Sequence, residues 1–162
     1  MKRLVVSLFP LAFALSCFAQ TPYIGPGLAS LMKQLTDASQ SKNAQQYASA
    51  FSDNAHWQGP QGQDAVGTAN VQRAVALFFD NVGPLQTRAW RLAPLGTDYV
   101  FVEMFQGNPA TVSRKSAPVA PGSASRRAGD SFRTWLILGR HEEQWWVTAA
   151  SIADIRTREI TP

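Results

Sequence analysis

The chain has 162 residues, 45% of them hydrophobic and 16% charged, with a formal net charge of +4. That length suits one domain, and the charge falls far short of the concentrated basic face a general nucleic-acid binder carries. With one cysteine and two histidines in all, the chain can form no internal disulfide and offers no metal-ligand cluster.

Residues 1–19 read as a cleaved secretory signal. Lys2 and Arg3 form a basic start, residues 4–18 are almost wholly apolar, and Cys17-Phe18-Ala19 place small residues at −3 and −1 before Gln20. The apolar run is shorter than the ~20 residues a membrane-spanning helix needs, and no other stretch approaches that length. A lipoprotein signal acylated at Cys17 is the competing reading, although Ala14-Leu15-Ser16 lacks a leucine at −3. With cleavage after Ala19 the mature chain, residues 20–162, is expected to be periplasmic or secreted, with no transmembrane segment. It would be a single domain of 143 residues without cysteine, stabilised by its core alone.

After a proline-containing lead-in, Leu28, Leu31, Met32 and Leu35 mark a first helix. Asn43, with Gln46 three residues on, is expected to cap a second helix. Ala44, Tyr47, Ala48 and Phe51 would form one face of it, and the helix would run into Asp53-Asn54. An aromatic segment His56-Trp57-Gln58, a Gly59-Pro60-Gln61-Gly62 turn and Val66-Gly67 lead to a third helix at Thr68. It carries Val71, Val75, Phe78, Phe79 and Val82 on one face and ends at Gly83-Pro84. The period then changes. Residues 87–92, 99–106, 131–139 and 144–155 are rich in aromatic and β-branched residues and read as strands. Residues 108–129 break the pattern, being rich in Pro, Ser, Ala and Gly, with Arg114, Lys115, Arg126 and Arg127 and no acidic residue. They read as a mobile hairpin loop, or as a basic flap over a cavity or against an anionic envelope surface.

The order of these elements from Asn43 to Thr68, and the closing segment Gln144-Trp145-Trp146-Val147-Thr148-Ala149-Ala150, resemble the nuclear transport factor 2-like superfamily, particularly its SnoaL-like members. The resemblance covers most of residues 28–155. It implies an α+β fold, with three helices packed on a curved antiparallel sheet of about four to five strands that encloses a cavity in a cone. It also implies a homodimer, since relatives commonly pair through their sheets. It does not imply a chemistry, because the superfamily uses one scaffold for enzymes, ligand binders and assembly modules.

The residues narrow the chemistry by exclusion. There is no phosphate-cradling glycine loop and no G-x-S-x-G elbow, so neither metal nor cofactor is expected. If Gln106 and Asp130 begin the pairing of two strands, Glu103 faces Arg133 across the ladder. Phe101, Phe105, Ser131, Trp135 and Ile137 share that face, and the next hairpin brings Ala149 and Ser151 beside Trp135 and Arg133. The opposite face, with Val102, Met104, Phe132, Thr134, Leu136 and Leu138, is core. A charged pair among aromatics describes a cavity lining. It equally describes an exposed ion pair worth ~0–1 kcal/mol within a subunit interface.

The candidate ligand-binding residues are Trp57, Phe101, Glu103, Phe105, Arg133, Trp135 and Ser151. Trp57 and Trp90 are core or cavity wall, and Asp53 is a capping or turn residue. His56 is either an acid–base group at a cavity mouth or a surface loop histidine. Enzymes of the resembled superfamily hold a carboxylate in an apolar cavity, and Glu103 is the one strand carboxylate suited to that role. An arginine opposite would depress its basicity, whereas an arginine among aromatics suits a carboxylate-bearing ligand. The first expectation is an exported, non-catalytic binder of a small amphipathic or carboxylate-bearing molecule. The alternatives are an isomerase, cyclase or hydrolase using Glu103 with His56, and a structural dimerisation module.

Overall fold

Leu28, Leu31, Met32 and Leu35 recur at the spacing that puts side chains on one face of a helix. In the computed structural model, which describes residues 25–108 and 131–155, they are buried along α1 (Pro26–Ser41). The expected signal at 1–19 and the expected loop beyond Asn108 lie outside the described residues. Asn43 caps α2 (Ala44–Ala48), its Oδ1 accepting the Gln46 N–H at 2.9 Å. The helix does not continue to Asp53 as its spacing suggested. Ser49 Oγ donates to the Gln46 carbonyl, and the Ala50 carbonyl accepts the Val147 N–H. Strand pairing takes over there, and Phe51 becomes the first residue of β1 (Phe51–Gln58). Asp53 is accordingly an exposed strand residue. A helical spacing barely two turns long yields to tertiary pairing. α3 (Thr68–Val82) runs from Gly67 to Gly83 and buries Val71, Val75, Phe78 and Phe79.

The remaining strands are β2 (Asp64–Val66), β3 (Gln86–Pro94), β4 (Tyr99–Gly107), β5 (Ser131–His141) and β6 (Gln144–Ile155). They form one six-stranded sheet in the order β2-β1-β6-β5-β4-β3. The fold is α+β, with the helices packed on one face of a curved, unclosed sheet. The count exceeds the expected four to five strands because the segments around His56 and Ala65 also pair. All neighbours are antiparallel except β1 with β6, which run parallel. Among the described residues no helix is long and apolar enough to cross a membrane.

The pleat separates two faces. Val102, Met104, Phe132, Thr134, Leu136 and Leu138 are buried toward the helices, where Phe132 meets Phe78 edge-on at 5.4 Å. Two polar side chains go under with them, and Thr134 Oγ1 satisfies Gln106 Oε1 at 2.9 Å. Phe101, Glu103, Phe105, Arg133, Trp135 and Ile137 occupy the helix-free face.

The register differs from the one inferred. Phe132, not Asp130, pairs with Gln106, so Glu103 stands opposite Trp135 and Phe105 opposite Arg133. Between β5 and β6, Ser151 pairs with Trp135 and Ala149 with Ile137. There the two-residue turn Glu142-Glu143, both at positive φ, shifts the pairing by one residue, and a bulge at Thr148 shifts it by another. Displacements of two residues leave every side chain on its original face, which is why the face assignment survives the change of register.

Tyr47 lies in the core between Phe51 and Phe79, at centroid distances of 5.4 and 5.7 Å. Burial pushes its phenol well above the usual value near 10, and a weak polar contact with the Trp57 indole offsets only part of this. A pKa raised by folding contributes stability that is complete below the unfolded value and is lost as pH climbs past it. Stability is therefore expected to fall above about pH 10, where unfolded tyrosine begins to ionise. Tyr47→Phe should remove that alkaline decline in denaturant titrations. A parallel decline in the variant would assign it to other groups.

Candidate functional site

β1 ends at Gln58, opposite Ser151, while β6 runs on to Ile155. Among the described residues this edge of β6 has no neighbouring strand beyond Ser151, and the chain instead turns away through Gly59-Pro60-Gln61-Gly62 into β2. The gap is a cleft of about 960 Å³, closed on its third side by the last turn of α3. Phe78, Val82, Phe132 and Ile152 line it, together with Gln58, Gln61, Gln63, Asn81, Ser151 and Asp154.

The lip is built by its own hydrogen bonds. Gly59 N–H donates to the Gln63 carbonyl at 2.8 Å, and Gln63 Oε1 accepts the Gln61 N–H at 3.0 Å. Gly59 is needed for close approach: a Cβ there would lie 2.7 Å from Cη2 of Trp57 and closer still to Gln63 Oε1. Ser151 Oγ donates to Gln58 Oε1 at 3.3 Å, and Asn81 Nδ2 donates to the Leu77 carbonyl at 2.8 Å. The Gln58 and Asn81 amides are thus each tied at one end. Asp154 pairs with Phe132 across the β5–β6 ladder, on the helix-facing side, and is the one carboxylate among the described lining residues. None of that lining is Lys, Arg or His. A smaller hollow of about 500 Å³ lies at the other end of β5 and β6, between α1 and the Glu142-Glu143 turn.

Of the residues picked out from sequence, Ser151 lines the cleft. Trp57 is wholly buried just behind it, its ring edge against Phe78 at 6.1 Å, and its indole N–H has no aligned hydrogen bond. Phe101, Glu103, Phe105, Arg133 and Trp135 come together on the helix-free face. Glu103 is 16% exposed and its carboxylate lies 3.4 Å from Arg133 Nε. The Arg133 guanidinium sits 5.0 Å from the Phe105 ring centre and 5.9 Å from that of Trp135, and Arg91 approaches Phe105 from β3 at 5.9 Å. His56, on β1, is half exposed and pairs with Asp64 of β2. Three strand spacings, about 14 Å, separate β1 from β4, so His56 and Glu103 occupy different parts of the sheet. Among the described residues no three His, Cys, Asp or Glu side chains gather closely enough to hold a metal ion.

Gln58, Gln61, Asn81 and Asp154 were not singled out from sequence. The signal that could have found them is the abrupt end of a strand at Gly59-Pro60, where the pairing of β1 with the longer β6 stops.

Helices laid over one face of a bent sheet, with a cleft at the open end, define a small cone-shaped α+β domain. This is the cystatin-like, nuclear transport factor 2-like fold. The chain resembles an uncharacterised cystatin-like protein from Caulobacter vibrioides, with 12% identity over 81% of this chain and 89% of that one and a TM-score of 0.63. A ketosteroid isomerase-like protein from Erwinia carotovora atroseptica gives 13% identity over 83% and 98%, with a TM-score of 0.61. A domain of unknown function from Nostoc punctiforme gives 14% over 80% and 76%, with a TM-score of 0.58. No family model matches the chain, and no curated protein matches it.

Proposed function

We propose that this protein is an exported, non-catalytic binding domain that takes a small amphipathic molecule into the cleft between the β1–β2 turn, α3 and the end of β6. The observation that carries this reading is the cleft's composition, an apolar floor beneath a rim of tethered side-chain amides. The helix-free face has a different part in the same reading. Its half-buried aromatics and the Glu103–Arg133 pair suit the contact between two copies of the chain.

An enzymatic reading draws support from the isomerase-like neighbour and from Asp154, a carboxylate on the helix-facing side of the cleft. Glu103 supports it less, because it is paired with Arg133 on the face away from the helices and does not line the cleft.

Native mass spectrometry of protein purified from its own cell envelope tests both halves of the proposal. The expected species is two chains with a retained small-molecule adduct. A single-chain mass without adduct at micromolar concentration would reject both the ligand and the dimer.

A further inference from the structure

The helix-free face of the sheet carries a charge imbalance around Phe105. Arg133 stands opposite that residue on β5 and Arg91 approaches from β3, at 5.0 and 5.9 Å from the ring centre. Arg88 is the extra residue of the β3 bulge, set between Thr87 and Ala89, and its guanidinium lies against Gly107 of β4. A Cβ at Gly107 would come within 2.9 Å of Arg88 Nη2 and 3.1 Å of its Cζ, so the missing side chain is what lets the guanidinium rest on β4.

Glu103 is the one carboxylate on this part of the face. It lies 3.4 Å from Arg133 Nε, although Arg91 is its direct neighbour across the β3–β4 ladder. Arg88 and Arg91 are exposed and have no acidic partner among the described residues. Three guanidiniums against one carboxylate leave two positive charges without a counterpart. Arg133 is also preset for a ligand. Its Nε is buried, its planar group sits between Phe105 and Trp135, and its side chain is 42% exposed. Arginines held beside aromatic rings give up little entropy when they bind, and this is the composition of a protein-recognition patch.

The occupant follows from the charges. A second copy brings the same three-to-one set, so a contact between copies leaves the excess unmatched. A nucleic acid or an anionic bilayer gains affinity from many basic residues, and here Glu103 would repel a continuous polyanion. Separate carboxylates suit the surface better, because each can take the two parallel N–H groups of a guanidinium while avoiding Glu103.

We propose that the β3–β5 part of the helix-free face is a docking surface for an acidic segment of another protein, with Arg88, Arg91 and Arg133 each receiving a carboxylate beside Phe105 and Trp135. The proposal does not depend on the cleft, and it goes beyond the contact between copies. The full chain, labelled with nitrogen-15, is titrated to millimolar concentration with end-capped hexaglutamate and, as the neutral control, hexaglutamine. Oligodeoxythymidylate and phosphatidylcholine vesicles containing a quarter phosphatidylserine are tried separately, and sedimentation gives the mass of the chain in each sample.

The expected result is saturable shifts at the Phe105, Gly107 and Trp135 amides with hexaglutamate and none with hexaglutamine. Raising the salt concentration should weaken the binding. The double change Arg88→Met and Arg91→Met removes two exposed charges, and should weaken it by about tenfold. Lys33→Met, on α1, should leave it unchanged. Absence of saturable shifts with hexaglutamate would overturn the proposal, and a dimeric mass in that sample would leave the contact between copies as the sole use of the face. Shifts with the nucleotide or the vesicles alone would replace the carboxylate with a phosphate-bearing partner. Equal affinity in the parent and the double variant would also overturn it, because the arginines would then not be the recognition groups.

Discussion

Trp57→Ala is expected to cost about 3–5 kcal/mol, the range for truncating a large buried aromatic. The side chain is 0% exposed and is among the largest that the fold buries completely. It stands on β1 between the edge of Phe78 and the backbone of Gly59, where no neighbour can close the space left behind. Against a total stability of roughly 5–15 kcal/mol for a domain, such a loss brings the variant close to unfolding at ambient temperature. Trp57→Phe keeps a ring against Phe78 and removes an indole N–H that has no aligned partner, so its loss should be markedly smaller. Denaturant midpoints of the two variants make the comparison. A cost below about 1 kcal/mol for the alanine variant would mean that Trp57 is not a core residue.

The second large effect joins stability to the site. Gly59→Val should destabilise the chain by about 1–3 kcal/mol, the usual cost of overpacking, and should abolish binding in the cleft. The added side chain would collide with Cη2 of Trp57, 2.7 Å from the new Cβ, and with the Gln63 amide. Trp57 cannot retreat into a filled core, so the lip must move outward and take Gln61 with it. Gly62 supplies the control. Its φ is +81° and a Cβ there would meet no atom within 4 Å, so Gly62→Ala costs backbone strain of about 1 kcal/mol without touching Trp57. Near-ultraviolet circular dichroism should change in Gly59→Val and not in Gly62→Ala. Equal changes in both would trace the effect to general loosening of the turn.

Local regularities in this chain reach the fold without help. Leu28, Leu31, Met32 and Leu35 predict the buried face of α1, and Asn43 with Gln46 predicts the cap of α2, because helical spacing and capping span four residues at most. Alternation along residues 99–106 and 131–139 likewise assigns Val102, Met104, Leu136 and Leu138 to the core face and Glu103, Arg133 and Trp135 to the other. A strand's pleat records which side a residue takes whatever its neighbours are.

What the pleat does not record is which side the helices cover, or how far a partner strand slides. Glu103 opposite Trp135 depends on where β5 enters the sheet, and Ser151 opposite Trp135 depends on the Glu142-Glu143 turn and the Thr148 bulge. No asparagine-glycine pair announces that turn, so its two-residue length is invisible to sequence patterns. The cleft is further still from local reach. It exists because β1, drawn out of a helical spacing at Phe51, pairs in parallel with β6 and stops at Gln58 before β6 does. Sequence alone determined α1, the cap of α2, α3, the four strands of the second half and the faces of β4 and β5, since each is set by neighbours along the chain. Only the tertiary structure decided that Gln58, Asn81 and Asp154 meet, because that depends on pairings between residues far apart in the chain, which compete on packing and not on local propensity.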